Sequence, residues 1–145
     1  MKIKFWGVRG SIPSPGPNTQ RYGGNTTCIE VRTDNNDLII LDGGTGIFPL
    51  AQTLLKELPI TAHIFNTHSH WDHIQGLPFF IPIFIPGNTI QLYGAFDPIS
   101  GAGPERIFLH RAPAETLPVE LEGAPAPAEE IAATTVAGVI AVKRT

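Results

Sequence analysis

The sequence predicts an α/β (α+β) fold, and three observations support that prediction. Five segments have the apolar or alternating pattern of short strands: residues 2–6, 27–32, 38–41, 61–65 and 89–93. One helix is predicted between the third and fourth strands, where Leu50, Leu54 and Leu58 recur at helical spacing. The order strand, glycine-rich turn, helix, strand is typical of a fold with a buried sheet.

Each element has its own local signal. Residues 2–6 alternate polar and apolar side chains, and residues 27–32 do the same with several β-branched residues. Residues 38–41 are apolar without interruption, as expected of a strand covered on both faces. Pro49 suits the first turn of the helix, where a missing backbone N–H costs little. Residues 10–24 are rich in Pro, Gly, Ser and Asn and are predicted to form a long loop.

Length and composition restrict the class of protein. The 145 residues, 42% hydrophobic and 16% charged, are enough for one domain with a real core. The net charge of −3 argues against the strongly basic surface of a nucleic-acid-binding protein. The single cysteine, Cys28, excludes an internal disulfide framework and is expected to be a small buried hydrophobic residue. Since no segment has the roughly 18 apolar residues of a membrane span, we expect a cytoplasmic protein without a membrane partner.

The composition changes near residue 101. Residues 1–100 contain 3 alanines, whereas residues 101–145 contain 10, together with 5 prolines and no aspartate. We therefore divide the chain into residues 1–100 and an Ala/Pro/Glu-rich tail, which is predicted to be mostly irregular. Residues 123–130 are either a linker or an ordinary surface loop. The apolar residues 136–142 are the part of the tail expected to add an edge strand or a helix.

The strongest signal in the chain is a cluster of histidines. Three of the 5 histidines, His68, His70 and His73, fall within six residues, together with Asp72. His68 and His70 follow a predicted strand two residues apart, so their side chains should point the same way. A turn after Trp71 would bring Asp72 and His73 beside them. Neutral imidazole binds zinc and similar metals, and four ligands from one loop can serve two adjacent cations.

The segment THSHWDH at residues 67–73 resembles the H-x-H-x-D-H motif of the metallo-β-lactamase fold superfamily. Four further segments strengthen the resemblance: FWGVRGS at 5–11, GGNTTC at 23–28, LDGGTG at 41–46 and IQGLPFF at 74–80. Together they are most similar to the bacterial branch of phosphodiesterase-type and cyclic-phosphate hydrolases, which is related to tRNA 3′-processing nucleases. The resemblance covers about residues 1–97. It implies that residues 1–100 form the first half of an αββα sandwich, with its metal loop at residues 67–73.

The resemblance also implies a role for each residue of the motif. His68 and His70 would bind a first divalent metal ion, and Asp72 and His73 a second. Zinc is the expected metal, with manganese or iron as alternatives. Asp72 would also be catalytic, taking a proton during attack by metal-bound hydroxide. Asp42 would support the metal loop as a partner of the ligands, whereas from the residues alone a simple cap of the following turn is equally expected.

Other residues near these motifs have less specific interpretations. The glycine turn at residues 42–46 lacks the Lys-Ser/Thr of a P-loop and is predicted to be a tight strand-to-helix turn. His63 lies inside a predicted strand and is expected to be structural, because a strand interior does not easily reach the loop at its end. Trp71 either packs over the metals or lines the entrance for substrate.

The chain departs from the superfamily pattern after the motif. The superfamily completes its two-metal site with a later His, then an Asp and a final His. Here His110 is the only histidine after His73, and no aspartate follows it, so this order cannot be assembled. We expect either a fragment or truncated gene product, or a relative whose site is closed by a partner chain.

Three functional hypotheses follow from these observations. The first is a metal-dependent hydrolase of phosphodiester bonds, which acts on a small-molecule or nucleotide substrate and can form a homo-oligomer. The second is a truncated, non-catalytic remnant that keeps the metal loop. The third is a thioester-hydrolysing or redox member of the same fold. The first is favoured because the flanking segments resemble the phosphodiesterase branch.

Overall fold

The computed structural model describes residues 1–94 and the backbone of two strands beyond them. The described strands and helices follow in the order β1 Lys2–Gly7, β2 Cys28–Arg32, β3 Leu38–Leu41, α1 Ile47–Leu54, β4 Thr61–Asn66, α2 Trp71–Ile74, β5 Thr89–Gly94, β6 Glu120–Glu122 and β7 Gly138–Lys143. Short 3₁₀ helices lie in the connections at Pro17–Thr19, Leu77–Phe79 and Ile81–Phe84. The α/β (α+β) class predicted from the sequence is confirmed.

The described strands form one mixed sheet in the order β1-β2-β3-β4-β5-β7-β6. Strand β2 is antiparallel to both β1 and β3, whereas β3, β4 and β5 run parallel. Strand β7 pairs antiparallel with β5, and β6 pairs with the other side of β7. Because the carboxyl ends of β3, β4 and β5 lie at the same edge, the segments that follow them are brought together there.

The tail adds backbone to this sheet. The apolar stretch at residues 136–142 overlaps β7, but β7 is an inner strand and not the predicted edge strand, because β6 pairs along its far side. The linker or loop predicted at residues 123–130 lies outside the described residues, and so does His110. The division of the chain near residue 100 therefore stays a prediction.

One face of the sheet packs against α1 and the 3₁₀ helices Leu77–Phe79 and Ile81–Phe84 to form the core. Helix α1 buries its apolar stripe of Ile47, Leu50, Ala51 and Leu54. The core of the described residues also contains Cys28, Leu38, Ile40, Ile60, Ala62, Ile64, Leu77, Phe80, Ile83, Ile90 and Leu92. Each fully buried large side chain contributes about 1.5–3 kcal/mol to folding. Within the described part of the chain, no helix is long and apolar enough to cross a membrane.

Helix α1 is shorter than the leucine spacing predicted. It ends at Leu54, and Leu58 lies beyond it, half-buried against the core. The Glu57 N–H donates to the carbonyl of Leu54, three residues back, so the chain tightens into a turn at this end. Pro59 disfavours helical backbone at the residue that precedes it. Pro49 lies in the first turn, as predicted.

The opposite face of the sheet also carries apolar side chains. Ile3 and Phe5 of β1 are 54% and 63% exposed, and Phe65 of β4 is 40% exposed. Ile39 and Leu41 of β3 point to this face and are half-buried. Among the described residues, β3 is therefore fully covered on its core face, where the described helices pack, and half-buried on the opposite face. The prediction that β3 is covered on both faces is fully met on the core face alone.

Cys28 is completely buried, as predicted, and this has a chemical consequence. Burial, reinforced by the Asp42 and Glu30 carboxylates, raises the pKa of its thiol far above the ordinary range. Because the thiolate is the reactive form, we expect almost no alkylation by iodoacetamide in the folded chain at pH about 8–9. Mass spectrometry should show full alkylation in urea. Alkylation of the folded chain at the urea rate would contradict the packing described for β2.

Candidate metal centre

The predicted metal loop lies at the carboxyl edge of the parallel strands. Strand β4 ends at Asn66, and Thr67 and His68 follow directly. Asp42 follows the last residue of β3, the neighbouring strand. The side-chain amide of Asn66 donates to the carbonyl of His68 at 2.7 Å and holds the start of the loop. Two segments that are distant in sequence therefore meet at one end of the sheet.

The structure brings the three histidine rings of the loop together. The centroid of the His68 ring lies 4.5 Å from that of His70 and 4.0 Å from that of His73. The single helical turn of α2 begins at Trp71 and returns His73 towards His68. The Nε2 atom of His73 lies 3.4 Å from Oδ2 of Asp72. All four residues predicted as metal ligands are therefore in one cluster.

Asp42 presents a nearly buried carboxylate to the loop, with the residue only 4% exposed. Its Oδ2 accepts a hydrogen bond from Nδ1 of His73 at 2.8 Å, and its Oδ1 accepts one from the N–H of Thr67, also at 2.8 Å. The Thr67 hydroxyl lies 2.9 and 3.0 Å from the two oxygens. A buried carboxylate is costly unless it is hydrogen-bonded. These are the contacts that the predicted supporting role of Asp42 requires.

The glycine turn at residues 42–46 packs directly on the metal loop. The Gly43 N–H donates to the carbonyl of His73 at 2.7 Å. A Cβ on Gly44 would lie 2.2 Å from the carbonyl oxygen of Asp72, and one on Gly76 would lie 2.1 Å from that of Gly44. The glycines therefore permit a close approach between two backbones, in keeping with a tight turn.

A hydroxyl network fastens three neighbouring segments to each other. The Thr45 N–H donates to Oγ1 of Thr26 at 2.8 Å, and the Thr26 N–H donates to Oγ1 of Thr45 at 2.9 Å. The side-chain amide of Gln75 donates to the same Thr26 oxygen at 3.2 Å. These residues belong to GGNTTC, LDGGTG and IQGLPFF, so three of the segments behind the family resemblance meet around the metal loop.

Sequence reasoning missed two residues that contact the site, Thr67 and Ser11. The Ser11 N–H donates to Oδ2 of Asp72 at 2.9 Å. This hydrogen bond is the main cause that lowers the pKa of the Asp72 carboxyl, and the backbone N–H of Asp72 itself adds to it. Ser11 has a positive φ of 72°, which is uncommon outside glycine. The adjacent Gly10 is a local signal of an unusual turn, but nothing in the sequence relates that turn to Asp72.

His63 and Trp71, the two residues with less specific interpretations, differ in their surroundings. Nδ1 of His63 lies 3.0 Å from the hydroxyl of Tyr93, which donates to the side-chain carbonyl of Gln91 at 2.8 Å. These contacts fit the structural role expected of His63. Trp71 is 52% exposed at the start of α2. Its two proposed roles, over the metals or at the substrate entrance, both stay open.

The donor chemistry of the cluster fits a divalent metal ion. Within the described residues, no group of three or more His, Cys, Asp or Glu side chains is already arranged to hold a metal. Three imidazoles and a carboxylate are nevertheless the ligand types that zinc prefers. The hydrogen bond from Nδ1 of His73 to Asp42 leaves Nε2 of that ring with a lone pair that can bind a metal, which is how ligand histidines are usually held. His68, His70, Asp72 and His73 are thus the residues that would hold it.

The fold and the cluster define a class of protein in which a histidine-rich loop follows a parallel strand and is supported from the neighbouring strand. The family described as the Metallo-beta-lactamase superfamily matches the chain over residues 21–133. The chain belongs to this superfamily, which confirms the resemblance found in the sequence. Ribonuclease Z from Lacticaseibacillus casei (strain BL23) is 30% identical over 108 residues, which are 74% of this chain and 30% of that protein.

Two further relatives show the range of named activities. Ribonuclease Z from Lactococcus lactis subsp. cremoris (strain MG1363) is 34% identical over 82 residues, 56% of this chain and 25% of that protein. Hydroxyacylglutathione hydrolase from Saccharophagus degradans is 36% identical over 56 residues, 39% of this chain and 20% of that protein. The chain thus spans less than a third of the length of the curated relatives that it matches. No solved structure gives a significant match.

Proposed function

We propose that this chain carries the metal loop of a metal-dependent hydrolase that cleaves phosphodiester bonds. The observation that supports this most is the cluster at the carboxyl edge of β3 and β4. There, His68, His70 and His73 lie with their rings close together, and Asp42 holds the loop from the neighbouring strand. The substrate would be a small-molecule or nucleotide phosphodiester, and the protein a cytoplasmic one that can form homo-oligomers.

In this proposal, His68 and His70 bind one divalent cation, and Asp72 and His73 bind a second. Zinc is the first candidate, with manganese or iron as alternatives. When bound, such cations supply Lewis-acid activation of water and of the phosphoryl oxygens. Asp72 contributes a carboxylate that accepts a hydrogen bond from the Ser11 N–H at 2.9 Å. In this proposal it also takes the proton released during attack.

A phosphodiester substrate is favoured over a thioester by the extent of the matches. The ribonuclease Z match covers 74% of this chain, whereas the hydroxyacylglutathione hydrolase match covers 39%. Thioester hydrolysis is kept as the second candidate because a hydroxyacylglutathione hydrolase is among the relatives. A non-catalytic remnant is the third, since the later His, Asp and His are not present in the superfamily's order.

The proposal is tested with the purified chain loaded with zinc or manganese. Hydrolysis of bis(p-nitrophenyl) phosphate should be weak or absent, far below the usual enzyme rate of about 10 per second, because an incomplete ligand set orients the metals poorly. Any activity should disappear in Asp72→Asn and persist in His63→Gln. Hydrolysis of S-lactoylglutathione without phosphodiesterase activity would favour the thioester candidate. Full turnover by a demonstrated monomer would overturn the argument for an incomplete site.

A further inference from the structure

We propose that Thr67 is a positioning residue, whose hydroxyl connects the Asp42 carboxylate to His68 and determines which ring nitrogen of His68 is free. The inference rests on the proposed function, because His68 is one of the four proposed metal ligands. It concerns a residue to which neither the motif nor the relatives assign a role.

Thr67 lies at the centre of a small hydrogen-bonded cluster. Its Oγ1 is 2.9 and 3.0 Å from the two carboxylate oxygens of Asp42 and 3.0 Å from Nδ1 of His68. Nδ1 of His73 is 3.5 Å away and has a much closer partner, Oδ2 of Asp42, at 2.8 Å. The hydroxyl of Thr67 therefore connects two groups, the Asp42 carboxylate and the His68 ring.

Counting hydrogens decides the direction of each bond. A hydroxyl has one hydrogen to donate, and an ionised carboxylate can only accept, so the Thr67 hydrogen points to Asp42. Because the single hydroxyl hydrogen of Thr67 is used in this way, Nδ1 of His68 cannot accept a hydrogen bond from Thr67. Nδ1 must instead carry a hydrogen and donate it to Oγ1. A neutral imidazole carries one N–H, so Nε2 of His68 keeps its lone pair. The His68 ring is thereby prepared to bind a cation through Nε2.

Asp42 thus selects the same tautomer in two histidines by two routes. It accepts from Nδ1 of His73 directly, and it acts on Nδ1 of His68 through Thr67. The side-chain amide of Asn66 donates to the backbone carbonyl of His68 at 2.7 Å, so both the main chain and the ring of His68 have a hydrogen-bond partner. A ligand that is already oriented binds its metal more tightly, which is why partners of metal ligands commonly affect affinity.

The tautomers are measured in the metal-free chain by ¹⁵N–¹H NMR of the histidine rings, at about pH 9 where imidazole is neutral. The unsubstituted chain should show the Nδ1–H tautomer for both His68 and His73. In Thr67→Val, which removes the hydroxyl but keeps the shape, His68 should change to a tautomer mixture while His73 stays unchanged. Thr67→Ser should restore the original pattern. Thr61→Val, which changes an exposed threonine at the start of β4, is the matched control and should change neither ring.

Zinc affinity, measured by competition with a chromophoric chelator, gives the second readout. Thr67→Val should bind zinc about 10- to 100-fold more weakly, and Thr67→Ser should bind like the unsubstituted chain. An unchanged His68 tautomer in a folded Thr67→Val chain would overturn the proposal, as would a Thr67→Ser chain that behaves like Thr67→Val. If the unsubstituted chain bound no zinc, the proposed function would fail, but the metal-free NMR result would still decide the role of Thr67.

Discussion

Replacing His68 and His70 together by alanine is expected to remove most of the metal from the purified chain. The two rings lie 4.5 Å apart and supply the two proposed ligands of one cation. Since the loss of a mere partner of a ligand costs about 10- to 100-fold in affinity, the loss of two ligands should cost at least as much. Elemental analysis after dialysis against a metal-free buffer measures the result, with zinc, manganese and iron counted per chain.

The matched control for this experiment is His63→Gln. His63 lies in the strand that leads to the loop, and its ring contacts Tyr93. This variant should therefore keep the metal content of the unsubstituted chain. Wild-type metal content in the double alanine variant would show that the proposed ligand set is wrong. Two metals per unsubstituted chain would support both proposed sites, whereas one would support a single site.

The second large effect is expected from Gly44→Ala, which should destabilise the chain by about 1–3 kcal/mol. The added Cβ would lie 2.2 Å from the carbonyl oxygen of Asp72 and 2.6 Å from that of Thr27. Both neighbours are backbone atoms and cannot rotate away, so either the turn or the metal loop must move. Urea unfolding followed by circular dichroism measures the change as a lower midpoint.

Gly16→Ala provides the control, because a Cβ at Gly16 would meet no atom within 4 Å and its φ of 170° is ordinary extended backbone. Its free energy of unfolding should stay within about 0.5 kcal/mol of that of the unsubstituted chain. Equal midpoints for Gly44→Ala and Gly16→Ala would contradict the close packing of the turn on the loop. A loss of zinc affinity in Gly44→Ala alone would show that the turn also positions the ligands.

Much of the architecture could be predicted from the sequence because it depends on local pattern. The strand predicted at residues 61–65 differs from β4, Thr61–Asn66, by only one residue. The β-branched Thr61 and Ile64 in this short segment favour extended backbone. The cluster of His68, His70 and His73 is predictable for the same reason, because ligands from one loop lie close together in sequence. The family resemblance rests on this motif and on the segments around it.

Local pattern predicted less well where an element ends and which neighbouring strand it pairs with. Leucine spacing extended α1 to Leu58, whereas the helix ends at Leu54 before the proline. The apolar residues 136–142 are predicted to add an edge strand or a helix, whereas β7 is an inner strand between β5 and β6. Periodicity describes one segment at a time and carries no information on pairing partners.

The sequence by itself determined the fold class, the superfamily and the four proposed metal ligands. Only the tertiary structure decided what holds those ligands. Ser11 reaches Asp72 across 61 residues of sequence, and Asp42 reaches Thr67 across 25. From the residues alone, Asp42 was as readily a cap as a support. The physical reason is that each of these hydrogen bonds joins segments that are distant in sequence. Asp42 and Thr67 follow two neighbouring strands, whereas Ser11 lies in the loop after β1 and Asp72 lies in α2. Their meeting depends on the order of the strands, which is a property of the whole fold.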